Sequence, residues 1–173
     1  LYGLKARLYH PGNLSETKAL LKPSHYSRPE FAFCRTIMPK HDGVFFDIGG
    51  NAGVFSLFVA SLMKSGTLIS AEPQPNMFDR LNANFDLNPD VLNRLAVKLL
   101  NTAIGGKEPS ELTLSIPDSA GQASGRPVAG TPTLKVPMVP LEQAIMTAGV
   151  EHVDLLKIDV EGFEDAVLVP FFE

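Results

Sequence analysis

The chain has 173 residues, 45% hydrophobic and 20% charged, enough apolar content for one globular domain with a buried core and too little length for a second. Its formal charge of −4, with Lys and Arg scattered rather than striped, opposes a nucleic-acid binder. The single cysteine, Cys34, excludes an internal disulfide and a cysteine cluster for metal, fits a reducing compartment and is expected to fill the core.

Lys5, Arg7 and His10 interrupt any apolar run at the start, so no signal peptide is read there and a cytoplasmic location is expected. Asn13 with Glu16 three residues on forms a capping-box pattern. It predicts a helix over Leu14 to Leu21, ended by Pro23 and placed to cover the sheet or the mouth of a ligand site. A second helical stretch, Phe31 to Met38, leads through the turn Pro39 to Gly43 into a strand, Val44 to Ile48. Residues 1–43 thus read as a helical lead-in to a core over 44–173.

The ten residues Val44 to Gly53, VFFDIGGNAG, run from an apolar strand ending near Asp47 into a glycine-rich turn that opens toward a helix. In open α/β sheets ligands bind outside the carboxyl ends of strands, where such a turn lets them approach bare backbone. A dinucleotide fingerprint counted from Gly49 needs glycines where this chain has Asn51 and Val54, so that spacing fails. Asp47 in the turn would repel a pyrophosphate and attract a cationic ligand. Asn51 sits where the turn needs a positive φ, which asparagine tolerates. A tight turn with no ligand is the alternative reading.

The apolar stretch Val54 to Met63 is far short of the ~20 residues a membrane span needs and reads as the first crossover helix. After the stop at Ser65-Gly66, Thr67 to Ala71 is the second strand, and it ends on Glu72, nineteen residues past Gly53. That spacing suits an acid gripping ribose hydroxyls from the end of the second strand. A cation near Asp47 and a ribose near Glu72 together describe S-adenosylmethionine, which carries an ammonium, a sulfonium and an adenosine.

Met77, Phe78, Leu81 and Phe85 form a helical stripe within Asn76 to Leu87, and a third strand is expected over Val97 to Ile104. Glu111 to Ile116 and Thr133 to Val139 read as strands of a hairpin-like insertion around 111–139, joined by a Gly-, Ala-, Ser- and Pro-rich loop, Pro117 to Gly130. A connection of that length is a substrate lid or disordered. Pro140 to Ala148 is a helix stopped by Gly149, and Val153 to Asp159 is a further strand. Right-handed crossovers between these elements give an α/β fold, a mainly parallel sheet with helices on both faces.

In VDLLKIDVEG the two-residue period places Lys157, Asp159 and Glu161 on one side of the strand and Leu156, Ile158 and Val160 on the other. Charges at the carboxyl end of a parallel strand mark a site or an ion pair that fixes the strand end. For methyl transfer to a hydroxyl, Asp159 or Glu161 is the candidate base, the alternative for Asp159 being a positioning group bonded to the cofactor or to helix amides. Lys157 pairs with an acid or snorkels at the sheet edge. Gly162 lets the chain turn close to a ligand, and Phe163 is expected in the core.

The strand is not followed by the Asn-Pro-Pro-aromatic set expected for methylating base amines, which favours an oxygen acceptor. No nucleophile elbow or P-loop occurs. His10, His25, His41 and His152 lack metal-ligand spacing, so no metal is expected, while His25 and Glu30 are placed to reach a substrate mouth.

Three segments together resemble the FkbM family of S-adenosylmethionine-dependent methyltransferases: DIGGNAG, which matches the family's DIGANIG except at Gly50 and Ala52; Glu72-Pro73-Gln74-Pro75 with Phe78, Leu81 and Asn84; and LKIDVEGFE over Leu156 to Glu164. The resemblance covers Glu30 to Leu168. It implies a Rossmann-like class I fold, O-methylation (EC 2.1.1 class) of a small-molecule, sugar or polyketide-type hydroxyl, and S-adenosyl-L-methionine held by Asp47, Gly49, Gly50, Asn51, Gly53, Glu72, Pro73 and Ala103, with Asp159 and Glu161 catalytic. It also implies a seven-stranded sheet, so a chain that begins on Leu1 and has no sequence for the fifth to seventh strands is expected to be a fragment. A nucleotide-dependent oxidoreductase and a non-catalytic nucleoside-binding module are the alternatives.

Overall fold

The structure, a computed structural model, describes residues 3–9, 14–22, 26–116, 125 and 129–173. A parallel sheet is built from β1 (Gly43–Ile48), β2 (Gly66–Ala71), β3 (Ala96–Leu100) and β7 (Leu155–Ile158), in the order β3-β2-β1-β7. The chain first winds outward from β1 to β3 and then returns to the opposite side of β1. The gap between the ends of β1 and β7 is therefore the switch point at which open α/β sheets bind ligands.

All six residues of β1 are buried, as a central parallel strand requires. Phe45 faces a core shared with α2 (Arg28–Ile37), α3 (Val54–Leu62), α4 (Pro75–Asp86) and α5 (Pro89–Arg94), where the Phe31 and Phe58 rings stack with centroids 3.7 Å apart. Val44, Phe46 and Ile48 face the other core, closed by α6 (Leu141–Ala148) and α7 (Glu164–Phe172). Cys34 lies in the first core. Helices thus cover both faces, and each face fills with the alternate residues of one strand.

The stretch expected as one strand over Val97 to Ile104 is two. β3 stops at Leu100, and β4 (Ala103–Ile104) leaves the parallel sheet to pair with β6 (Thr133–Val139). Asn101 makes the break: its side-chain amide donates to the Glu72 carbonyl at 2.8 Å and to the Pro73 carbonyl at 3.2 Å, tying the chain across the end of β2. The expected hairpin is β5 (Ser110–Ser115) antiparallel to β6, with Ser110 opposite Met138 and Ser115 opposite Thr133.

Helix α1 (Leu14–Leu21) has the expected bounds. Its proposed cap Asn13 and its stop Pro23 lie outside the described residues, as do His10, His25 and most of the loop Pro117 to Gly130. Glu16 of α1 is fully buried, accepting from Arg80 Nη1 at 2.6 Å and from Tyr9 N at 3.2 Å, while the Arg80 guanidinium lies 4.3 Å from the Tyr9 ring centroid. Two buried amides on and after α4 bind the segment 3–9: Asn84 Oδ1 accepts from Arg7 N, and Asn88 exchanges a pair of hydrogen bonds with the Lys5 backbone. None of the helices of the described residues is long and apolar enough to cross a membrane.

Candidate functional site

The turn after β1 is shaped by three left-handed residues, Gly49 (φ 81°), Asn51 (φ 51°) and Gly53 (φ 82°). Gly49 N and Gly50 N both donate to the Ala71 carbonyl, at 2.9 and 3.0 Å, which folds the turn over the end of β2. A Cβ at Gly49 would collide with the Asp159 carbonyl, and one at Gly50 with Ser70 Oγ. Gly50, where the resembled motif has alanine, therefore fits a serine on the neighbouring strand. Asn84 Nδ2 holds the Ala52 carbonyl at 2.8 Å and completes the turn from behind.

Glu72 follows β2 and is 6% exposed. Its two carboxylate oxygens accept from Gln74 N at 2.8 Å and Asn51 N at 2.9 Å, so one side chain joins the turns that follow β1 and β2. Each oxygen keeps a further lone pair for a ligand hydroxyl. Burial pushes this carboxyl up to about 7, against the lowering effects of the Gln74 and Asn51 amides and of Lys157.

That shift has a stability consequence with a definite sign. Folded Glu72 keeps its proton to about 7, whereas the unfolded chain releases it near the ordinary 4.5. Between those values the folded state binds more protons, so its stability falls as pH rises through the window and levels off above it. From pH 5 to pH 7.5 the share due to Glu72 is about 2 kcal/mol. Urea unfolding at the two pH values is expected to show that much more loss for the unaltered chain than for Glu72→Gln; equal losses would remove the assignment.

Asp47 lies behind the turn, fully buried, and does not line the cleft. Lys157 Nζ donates to Asp47 Oδ1 at 2.8 Å, and Ser56 Oγ donates to Oδ2 at 2.6 Å. The positive charge beside Asp47 is therefore supplied from within the chain, by a lysine 110 residues away. Lys157 also donates to the Gly49 carbonyl at 3.1 Å and stands 3.7 Å from Asp159 Oδ2. Burial works to lower the pKa of its ammonium, but Asp47, Asp159 and Glu72 outweigh it and hold the group above the ordinary lysine value.

A cleft opens at the switch point. Of the residues expected to hold a cofactor, Gly49, Gly50, Asn51, Glu72, Pro73 and Ala103 line it, whereas Asp47 and Gly53 stand behind it. Asp159 and Glu161 line it too. The expected alternation of Lys157, Asp159 and Glu161 ends early, because β7 stops at Ile158 and Glu161 takes a left-handed φ of 49° with Gly162 at 84°. Phe163, expected in the core, is half-buried and faces the cleft, since the turn at Glu161-Gly162 swings it away from the sheet.

Sequence reasoning did not place Gln74, Thr102, Tyr26 or Ser15 on this cleft. Gln74 and Thr102 follow strand ends and could have been found from that position. Tyr26 and Ser15 come from the lead-in and carry no local signal. Glu30, expected near a substrate mouth, lines a second cavity beside the cleft. No group of three or more His, Cys, Asp or Glu among the described residues is arranged to hold a metal ion.

The charge of the cleft is one-sided. Among the described residues its ionisable side chains besides the Tyr26 phenol are Glu72, Asp159, Glu161 and Lys157, and the lysine is already bonded to Asp47. A ligand entering here meets the carboxyl groups of Glu72, Asp159 and Glu161 and glycine backbone.

A family model described as the methyltransferase FkbM domain matches residues 47–170. No curated protein and no solved structure matches the chain.

Proposed function

The chain belongs to the FkbM methyltransferase domain family, and from that premise we propose that it transfers a methyl group from S-adenosylmethionine to a hydroxyl of a small-molecule acceptor. The observation that carries this reading is the cleft itself, in which carboxylates outnumber the one cation and that cation is committed to Asp47. A ligand bearing an ammonium and a sulfonium gains from such a field, and a pyrophosphate loses.

The residues fit the cofactor on three counts. Gly49 and Gly50 present bare backbone where any side chain would meet Asp159 or Ser70. Glu72 offers both carboxylate oxygens at the mouth of the second strand, the position for a ribose diol. Ala103 and Phe163 supply apolar walls for an adenine. When bound, S-adenosylmethionine supplies an electrophilic methyl group. The chain's part is alignment and proton removal: Lys157 fixes the ends of β1 and β7 together through Asp47 and Gly49, and Asp159 or Glu161 accepts the hydroxyl proton.

The test is ligand-induced stabilisation. S-adenosylmethionine at about a hundred times its Kd is expected to stabilise the fold by about 2.7 kcal/mol, which raises Tm by several degrees in a chain of this size. An unchanged Tm at millimolar S-adenosylmethionine would count against the proposal.

A further inference from the structure

We propose that Gln74 reads the base of the bound nucleoside: its side-chain amide pairs with the 6-amino group of adenine and with the ring nitrogen beside it. The proposal rests on the S-adenosylmethionine reading above. Gln74 is 4% exposed and lines the cleft. Its backbone is fully engaged, with N donating to Glu72 Oε1 at 2.8 Å and the carbonyl accepting from Met77 N at 3.0 Å and Phe78 N at 2.9 Å. The side-chain amide, in contrast, has no hydrogen-bond partner among the described residues.

A buried amide without a partner is less stable than an apolar side chain of the same shape, so the frame alone gives no reason for glutamine here. Helix capping gives none either. Gln74 stands at the N-cap of α4, but its side chain makes no capping bond, and Ser, Thr, Asp and Asn are the residues that suit that place. The neighbouring polar side chains of the cleft are already engaged within the chain: Asn51 Oδ1 accepts from Ala52 N, and Thr102 Oγ1 donates toward the Ala103 and Pro137 carbonyls. An unpaired group in this position is held ready for a ligand.

Its place along the cleft selects the base. In the order β3-β2-β1-β7, Asp159 and Glu161 follow the strand at one end and Glu72 follows β2. With the cationic end of the cofactor toward the first two and its ribose on Glu72, the base falls on the β3 side, where Thr102 and Ala103 line the cleft. Asn101, just past β3, donates to the Glu72 and Pro73 carbonyls and so pins the residues that lead into Gln74 against that end of the sheet. A glutamine amide sets an acceptor and a donor side by side, and adenine presents the complementary pair, an amino donor next to a ring-nitrogen acceptor. The amide is already out of water, so pairing with a base gains both bonds with little further desolvation.

The test is calorimetric titration with S-adenosylhomocysteine and with its analogue lacking the 6-amino group, on the unaltered chain and on Gln74→Met, whose side chain is also long and unbranched. The unaltered chain is expected to bind S-adenosylhomocysteine about tenfold more tightly than the analogue, and Gln74→Met to bind the two within about twofold of each other. Thermal unfolding without ligand is expected to give Gln74→Met a Tm no lower than that of the unaltered chain, because the variant removes an unpaired buried amide; a glutamine bonded into the frame would lower it. Gln74→Leu repeats both measurements with a second side chain. No preference for the amine in the unaltered chain, a preference that survives in both variants, or a Tm several degrees lower in both would each overturn the assignment. Failure of S-adenosylhomocysteine to bind the unaltered chain would instead strike the cofactor reading. Adenosine and purine riboside, the same pair without the amino-acid end, then carry the comparison, and the lack of a Gln74-dependent preference between them would overturn the assignment too.

Discussion

Replacing Asp47 by alanine is expected to cost about 3 kcal/mol of stability and to lower Tm by about 10 °C. Asp47 is fully buried, and its partner Lys157 is 18% exposed at the side chain, so water cannot take over the lost interaction fully. The variant leaves an ammonium facing the Gly49 carbonyl at 3.1 Å, the more distant Asp159, the Phe55 ring with its centroid at 5.4 Å, and the field of Glu72. Removing both charges is a different matter. Asp47→Ala with Lys157→Met is expected to recover most of the loss, because an apolar pair needs no compensation. Denaturant titration of the two single variants and the double variant closes the cycle. If Asp47→Ala alone stays within about 1 kcal/mol of the unaltered chain, the pair is not what joins β1 to β7.

The second large effect falls on binding. Gly49→Ala is expected to weaken S-adenosylhomocysteine about a hundredfold, equivalent to about 2.7 kcal/mol. Gly49 has a φ of 81°, a conformation that costs a residue with a Cβ about 1–2 kcal/mol. The larger consequence is steric. The new methyl would strike the Asp159 carbonyl, and Asp159 N is hydrogen-bonded to the Ile48 carbonyl at 3.0 Å, so relief requires the ends of β1 and β7 to part. Those ends carry the Lys157 contact and the candidate base. Gly130→Ala is the fitting comparison: its φ of 80° is the same, nothing lies within 4 Å of the added atom, and it stands far along the chain from the switch point. A hundredfold loss at Gly49 with little change at Gly130 separates the close approach from the cost of backbone conformation. Equal effects would reduce Gly49 to a conformational requirement.

What could be read from the sequence was local. The strand from Val44 and the turn after it declare themselves because apolar run, acid and glycines sit side by side, and Asn51 does adopt the positive φ its position suggested. Helix α6 ends where Gly149 takes a φ of 73°, the left-handed cap that glycine provides. Contacts across the chain were not legible in the same way. Pattern alone could say that Lys157 pairs with an acid, but Asp47 became that acid only once β7 settled beside β1 with Lys157 opposite it in register. The split of the third strand escaped because Asn101 breaks it by reaching back to the Glu72 and Pro73 carbonyls, bonds that exist only when the strand ends are together. Helix α5 was missed although Asn88-Pro89 marks its start, because six residues are too few to show a period. The role of the lead-in was hidden for a related reason: Tyr26 reaches both cavities from a segment with no motif of its own.

Glu72 shows where sequence and structure add to each other. Its spacing from the turn suggested a ribose contact, and the structure shows that the same carboxylate also braces the two turns that shape the cleft. On the proposed ribose contact, a change at Glu72 alters ligand binding as well as frame, so its stability effect is followed by pH and its binding effect by titration.

Isothermal calorimetry of the chain with S-adenosylhomocysteine and with NAD decides between a cationic nucleoside and a dinucleotide as its ligand. Saturable binding of S-adenosylhomocysteine that is lost in Glu72→Ala, and no heat with NAD, are expected. Binding of NAD without S-adenosylhomocysteine would contradict this expectation.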